Sequence, residues 1–379
     1  MALTEPSFTI GVEEEYLLVD KETRDLVSEP PAELMAKCEA ALPKGQVSAE
    51  FLRSQIEIGT PVCKTVAEAG KELRHLRGTI AEVAGEFGMA PMAASTHPFA
   101  KWSAQQQTDK ERYHDIANDL RIVVRRMIIC GMHVHVGIED EEVRVDILNQ
   151  ASYFLPHLLA LSTSSPFWQG EKTGLRSYRL SVFDELPRTG LPPQFVSHSE
   201  YDRTIAVLVN VKAIEDATKI WWDLRPSHRF PTLEMRITDV CPLLDDALCI
   251  AALFQCICRF LYRLRRGNQR WRYYQPFLIN ENRWRAQRYG LSEGLIDFGE
   301  GEVVPCKKLM TELLDLVAED AESLGCVKEV QHVKTVVKRG TSAERQVKTF
   351  EAERAKGKSD EDALKAVVDE LLKETLEGA

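Results

Sequence analysis

The sequence contains no Cys-x-x-Cys pair; its nine cysteines are scattered at positions 38, 63, 130, 241, 249, 256, 258, 306 and 326. An odd, unpaired set argues against a disulfide framework and against a four-cysteine zinc site, and it suits the reducing cytoplasm. A Walker-type phosphate loop is also missing. Gly357-Lys358-Ser359 has the right ending, but Ala352 occupies the required earlier glycine position. No G-x-G-x-x-G follows a strand and no G-x-S-x-G occurs, which excludes a Rossmann cofactor site and a serine-hydrolase elbow. Charges interrupt every apolar run before the ~18 residues a membrane span needs. The opening MALTEPSFTI has neither a basic nor an apolar leader segment, so neither a secretory signal nor a membrane partner is expected. There is no Pro/Gly/Ser-rich linker and no internal repeat.

What is present is an ordinary folded composition: 379 residues, 44% apolar and 28% charged. The net charge of −10 argues against bulk nucleic-acid or anionic-membrane binding. At roughly 150 residues per domain the length permits two or three domains. Without a linker, the reading is one large catalytic domain over 1–379, whose C-terminal part, about 305–379, is a helical elaboration. From Thr65 onward, Val66, Ala69, Leu73, Leu76, Ile80, Val83 and Phe87 recur at spacings of three and four, predicting a helix capped by Thr65 and stopped at Gly88. Such a stripe serves a core more often than a partner. Further helices are predicted over 141–164, 245–266, 307–324 and 360–377, and an exposed charged helix or connector over 338–359.

Four segments alternate with period two: 8–20, 49–60, 127–139 and 232–239. Each has one apolar face and one ionisable face. Glu13 and Glu15 share a face, with Glu14 on the other beside Val12 and Tyr16. Leu52, Ile56 and Ile58 oppose Arg53, Gln55 and Glu57; Met132, Val134 and Val136 oppose His133 and His135; Leu233, Met235 and Ile237 oppose Glu234 and Arg236. Singly, each group reads as a surface residue, an ion pair or a charged edge strand. If the strands form one sheet, Glu13, Glu15, Glu57, Glu234, His133, His135 and Arg236 converge. Four carboxylates in one concave site require protonation or divalent cations. Oxygen-rich ligands with one or two imidazoles favour Mg²⁺, or Mn²⁺, over structural zinc, and carboxylate-bound Mg²⁺ commonly completes its shell with nucleotide phosphates. Arg236 then suits phosphate or developing acyl-phosphate charge.

One stretch opposes the acidic average: residues 259–288 hold nine arginines and a single acid, Glu281, interleaved with Tyr262, Trp271, Tyr273, Tyr274 and Trp284. This pattern suits stacking on RNA bases or on adenine. It equally suits a helix end whose arginines pair with the protein's own acids.

The segments GVEEEYLLVD (11–20), SQIEIGTPVC (54–63), GMHVHVGIED (131–140), FDELPRTGLPP (183–193) and WWDLRPSHRFPTLEMRITD (221–239) occur in the order found in type 2 glutamate–cysteine ligase-like proteins, and the chain resembles that family over most of its length. The resemblance implies an α+β fold like the glutamine synthetase catalytic domain: a curved, mainly antiparallel sheet with helices on its convex side. It implies an ATP- and Mg²⁺-dependent carboxylate–amine ligase working through an acyl phosphate, with glutamate as acid and cysteine or another amine as acceptor. Glu13, Glu15, Glu57, His133 and Glu234 match metal-binding positions, and Arg236 matches the phosphate-contacting one. Glu57 and Glu234 thereby join Arg236 as catalytic candidates, and His135 shares their face. Arg176, Arg179, Arg188 and Arg225 are candidates for holding a substrate carboxylate or phosphate. The expected partners are small-molecule acids and amines; a homodimer is compatible with the sequence. Two other readings stay open: a metal-dependent hydrolase using the His133/His135 pair, and an RNA- or nucleotide-binding module using 259–288.

Overall fold

In a computed structural model, which describes residues 4–378 other than 112 and 114–119, seven strands form the main sheet. Residues 1–3 of the opening segment lie outside the described residues. The strands are β1 (Ile10–Asp20), β2 (Val47–Ala49), β3 (Gln55–Gly59), β4 (Met89–Met92), β5 (Met132–Gly137), β6 (Leu224–Pro226) and β7 (Thr232–Met235). Their order is β6-β7-β5-β1-β3-β2, with β4 also on β1. Every pairing in this sheet is antiparallel. Leu17 pairs with both Gln55 and Met92, so β4 takes the side of β1 opposite β3 and follows β5 along the same edge. The long central strand therefore organises the sheet.

Burial along β1 alternates from Ile10 to Tyr16, as its sequence requires, before both faces become enclosed. Val12, Glu14 and Tyr16 point into a helical layer containing Val66–Gly85 and Leu244–Arg266. The first of these helices starts where predicted, with the Thr65 side chain accepting from the Glu68 amide. The second is long and apolar enough, by length and composition, to cross a membrane, despite the charges that interrupt it. Here 83% of its most apolar window is buried inside the protein, where it forms the spine of the core.

The α+β arrangement read from the sequence is the one observed, with several elements shorter than the alternation suggested. Segment 49–60 is a β2–β3 hairpin whose turn contains Arg53, so Arg53 bonds the Gln107 carbonyl and does not join the polar face. The 141–164 helix is divided into Glu141–Ala151, a 3₁₀ turn at Ser152–Phe154 and Leu155–Ser162. The charged stretch contains a helix at Ser342–Ala355, opened by a Thr341/Glu344 capping box. That helix pairs with Asp360–Leu376, which returns to the sheet where Thr375 accepts a hydrogen bond from the Ala93 amide.

Glu14 is fully buried within the apolar layer and meets the equally buried Arg77 at 2.6 Å. Removing one partner strands a buried charge, a loss of about 3–5 kcal/mol. Arg77→Met is expected to lower unfolding free energy by that order in denaturant titration, and Glu14→Gln combined with Arg77→Met to recover part of it.

Candidate active site

The opposite face of the sheet floors a cavity of about 470 Å³. Strand register assembles it in rows. Glu13 lies between Gly59 and His133, Glu15 is opposite Glu57, and His135 is opposite Glu234, which in turn faces Arg225. Glu13, Glu15, Glu57, His133, His135, Glu234, Arg236, Arg179 and Arg225 all line this one cavity. Arg176 and Arg188 stand outside it. Arg176 packs where a Cβ on Gly290 would come within 3.2 Å of its Cγ, and Arg188 lines a neighbouring chamber.

Two groups of donors are close enough to share a cation. Glu13, His135 and Glu234 form one, and Glu15, Glu50 and Glu57 the other, with ligand atoms inside each group within 4.8 Å of one another. Carboxylate oxygens with one imidazole fit a hard divalent ion. Glu50 was not read from the sequence. It sits just past β2 in a turn, Glu50–Ser54, that contains no Gly, Pro, Asn or Asp to announce it. Lys110 and Tyr113 also line the cavity from a distant segment, each donating to the Ala49 carbonyl.

The two groups differ electrostatically. Burial raises the Glu15 carboxyl, the nearby Glu50 charge adds to it, and the result is about 7. Glu57 is pushed well above the usual range by burial and by Glu50, Glu13 and Glu15. For Glu234 burial acts upward, but Arg236 and Arg225 outweigh it and hold the carboxyl low. Glu13 is likewise held low, because hydrogen bonds to His133 and His135 overcome its burial. Burial and the Arg236 charge lower His133 to about 4, so its ring is neutral and retains a lone pair for an electrophile.

Arg236 is aimed by backbone geometry. Its amide and that of Ile237 both donate to the Asp223 carbonyl, at 2.8 and 3.2 Å. Two residues facing one is the pattern of a β-bulge, a device that redirects side chains beside functional sites. The carbonyls of Arg236 and Ile237 accept from Arg179, whose guanidinium occupies the space a Cβ on Gly131 would need: that atom would lie 2.5 Å from Nη2. Asp223 is fixed from behind by Arg283 at 2.6 Å, which also grips Asp184 at 2.7 Å. The Arg236 side chain bonds Glu234 and approaches His133 Nδ1 at 3.4 Å, while its buried Nε has no protein partner.

Several arginines of the arginine-rich segment pair with the protein's own acids. Arg259 and Arg263 pair with Asp320, Arg265 with Asp146, and Arg283 with Asp184 and Asp223. Trp271 and Tyr274 pack with Tyr153 in an internal aromatic cluster. These side chains neutralise the protein's own acids, and none of the segment's arginines lines the main cavity.

A family model for glutamate-cysteine ligase family 2 matches residues 9–370. A protein of Rhodospirillum rubrum, provisionally named glutamate–cysteine ligase 2, is 60% identical over 377 residues, 99% of this chain and 97% of the relative. One from Jannaschia sp. with the same provisional name is 59% identical over 367 residues, 97% of this chain and 96% of the relative. Among solved structures, a glutamate–cysteine ligase of Francisella tularensis in complex with AMP matches with a TM-score of 0.68 at 13% identity, over 99% of this chain and 90% of that one. A bifunctional glutathione synthetase of Pasteurella multocida matches with a TM-score of 0.69 at 16% identity over 97% of this chain; the match spans about half of that enzyme, 53%. At these identities the structural likenesses establish the fold.

In chelator-treated protein, Glu15 binds protons more tightly folded than unfolded. Stability is therefore expected to fall as pH rises from about 4.5 to about 7, by at most about 1.4 kcal/mol per pH unit for each such carboxyl. Glu15→Gln should flatten that slope in denaturant titrations across the window.

Proposed function

The chain belongs to glutamate–cysteine ligase family 2, and from that premise we propose that it is an ATP-dependent ligase that activates a substrate carboxylate as an acyl phosphate and passes it to an amine. The observation that carries this reading is the meeting of two cation-ready carboxylate groups with Arg236 and Arg225 in one cavity. In the proposed reaction a carboxylate oxygen bonds to the γ-phosphorus and ADP leaves. The amine nitrogen then attacks the acyl carbon, phosphate departs, and the nitrogen loses a proton to give the amide. Glutamate is the proposed acid, with cysteine or another amine as acceptor, in keeping with the names of the relatives. The whole chain acts as one catalytic domain in this reading, its C-terminal helices being an elaboration.

The donor chemistry fits Mg²⁺, or Mn²⁺, held by Glu13, His135 and Glu234 and by Glu15, Glu50 and Glu57, with His133 adjacent. Bound there, such ions would screen the repulsion between an anionic nucleophile and the triphosphate. The remaining work falls to side chains. Arg236 lines the cavity with a guanidinium that bonds Glu234, and its bulged backbone is held from both sides. Preorganised donors of this kind act where charge develops without reorganising. Arg225 donates to both oxygens of Glu234 at 2.9 and 3.1 Å, which fixes that carboxylate for its ligand role. The nine free, buried thiols support a cytoplasmic setting. Membership of a ligase family supports this reading over a hydrolase use of the histidine pair.

Amine-dependent ADP release, measured with Mg²⁺ across acids and amines, tests the proposal; turnover without ATP would overturn it. Glu15→Gln or Glu234→Gln should abolish metal-dependent turnover with an unchanged circular dichroism spectrum. Arg236→Met should lower kcat about 10²- to 10³-fold.

A further inference from the structure

Arg283 belongs to the basic segment 259–288, yet its contacts lead towards the cavity. It sits on the helix Pro276–Tyr289 and is buried. Its guanidinium makes two forks. Nε and Nη2 donate to the Asp223 carboxylate at 2.6 and 3.1 Å, and Nη1 and Nη2 donate to Asp184 at 2.7 and 2.8 Å. Bidentate, charge-assisted bonds of this kind fix orientation as well as distance. Arg283 and its two acids are not among the described residues that line the cavity, but each acid adjoins a segment that does. Asp184 ends the short helix Tyr178–Phe183, and Arg179, Phe183 and Leu186 of that stretch face the cavity. Asp223 precedes the β6–β7 hairpin, which brings Arg225, Glu234 and Arg236 to it.

The route through Asp223 is short. Arg283 holds its side chain, while its own carbonyl accepts from the Arg236 and Ile237 amides at 2.8 and 3.2 Å. A shift of Asp223 therefore moves the bulge from which Arg236 projects. Arg283 is itself a fixed anchor, because its helix is fastened on both sides of it. Asn282 exchanges hydrogen bonds with the Ile296 backbone at 2.8 and 2.7 Å. Gln287 bonds the Ser181 hydroxyl at 2.8 Å, and its carbonyl accepts from the Arg176 and Ser177 amides. Supporting contacts of this sort hold a reacting group in productive geometry, where a displacement of about 1 Å costs about 10²-fold in rate.

We propose that Arg283 is a positioning residue for phosphoryl transfer. Acting through Asp223, it sets the angle at which the Arg236 guanidinium meets the developing phosphate charge, and it touches no substrate itself. The inference rests on the ligase reading above. The fork matters here more than the charge: a lysine would keep a cation beside Asp223 but could not grip both acids in fixed planes. The basic segment thereby gains a role in the reaction from outside the cavity, through one arginine whose two acids stand at two of its walls.

The test is a double-mutant cycle read as kcat for amine-dependent ADP release at saturating substrates. Arg283→Lys should lower kcat about 10- to 100-fold and leave KM for ATP nearly unchanged. In an Arg236→Met background the same substitution should cost less than about 2-fold, because the group it positions is gone. Asp184→Asn, at a side chain that is 34% exposed, loosens Arg283 without stripping Asp223 of its partner. It should give a smaller loss in kcat that likewise disappears in the Arg236→Met background. Hydrogen exchange gives a readout that needs no turnover. In Arg283→Lys the Arg236 and Ile237 amides should exchange faster, while the amides pairing β1 with β5 keep their protection. A loss of full size in the Arg236→Met background, or unchanged kcat in both Arg283→Lys and Asp184→Asn, would overturn the positioning role and leave the ligase reading standing. So would unchanged exchange at those two amides. A wild-type protein that releases no ADP with any acid and amine would overturn the ligase reading and this role together.

Discussion

Behind the face that floors the cavity, Glu14 and Arg77 form an ion pair with almost no exposure to water. Taking both charges out of water is costly, and the pair is tolerable because its hydrogen bonds are nearly complete. Arg77 donates to both Glu14 oxygens and to the carbonyls of Cys241 and Pro242, while the Tyr16 hydroxyl donates to Glu14. One side chain thereby joins β1, the helix Val66–Gly85 and the turn before Leu244–Arg266. Fixing Glu14 inward fixes Glu13 and Glu15 outward, because adjacent residues on a strand point to opposite faces. A slip of one residue would move the middle glutamate into the cavity and its neighbours into the core.

A second layer of buried charge fixes the other side of the site. Asp239 accepts from the Ser164 amide and from the Ser165 and Ser177 hydroxyls, and Asp223 is gripped by Arg283. Between these two acids lies the bulged backbone of Arg236–Ile237. Buried polar groups of this sort rigidify a site only when their partners are present, and here each carboxylate has several. This wall of the cavity is thus supported by residues that do not line it.

Much of the site was legible as alternation. Glu13, Glu15, Glu57, His133, His135 and Glu234 each followed from strand parity, a local property of sequence. Arg236 was placed on the right face, but the bulge that positions it was not visible, since it depends on a carbonyl thirteen residues earlier, at Asp223. Glu50 has no such local signal, because the turn that carries it contains no Gly, Pro, Asn or Asp and reads as continuous strand. Arg176 and Arg188, candidates for a substrate carboxylate or phosphate, lie outside the main cavity, one on the Gly290 side and the other in the adjoining chamber.

The arginine-rich segment shows where sequence reasoning divides. Its composition permitted a stacking surface or self-pairing, and only the fold brought Asp146, Asp184, Asp223 and Asp320 within reach. The sequence by itself determined which faces of which strands carry charge, which helix stripes are apolar, and which family the motifs resemble, because all of these are periodic or contiguous along the chain. The tertiary structure decided which strands are neighbours, which acids share a cation-sized space, and which arginines are already paired. Those outcomes depend on register and packing between segments separated along the chain, and no local pattern encodes such pairings.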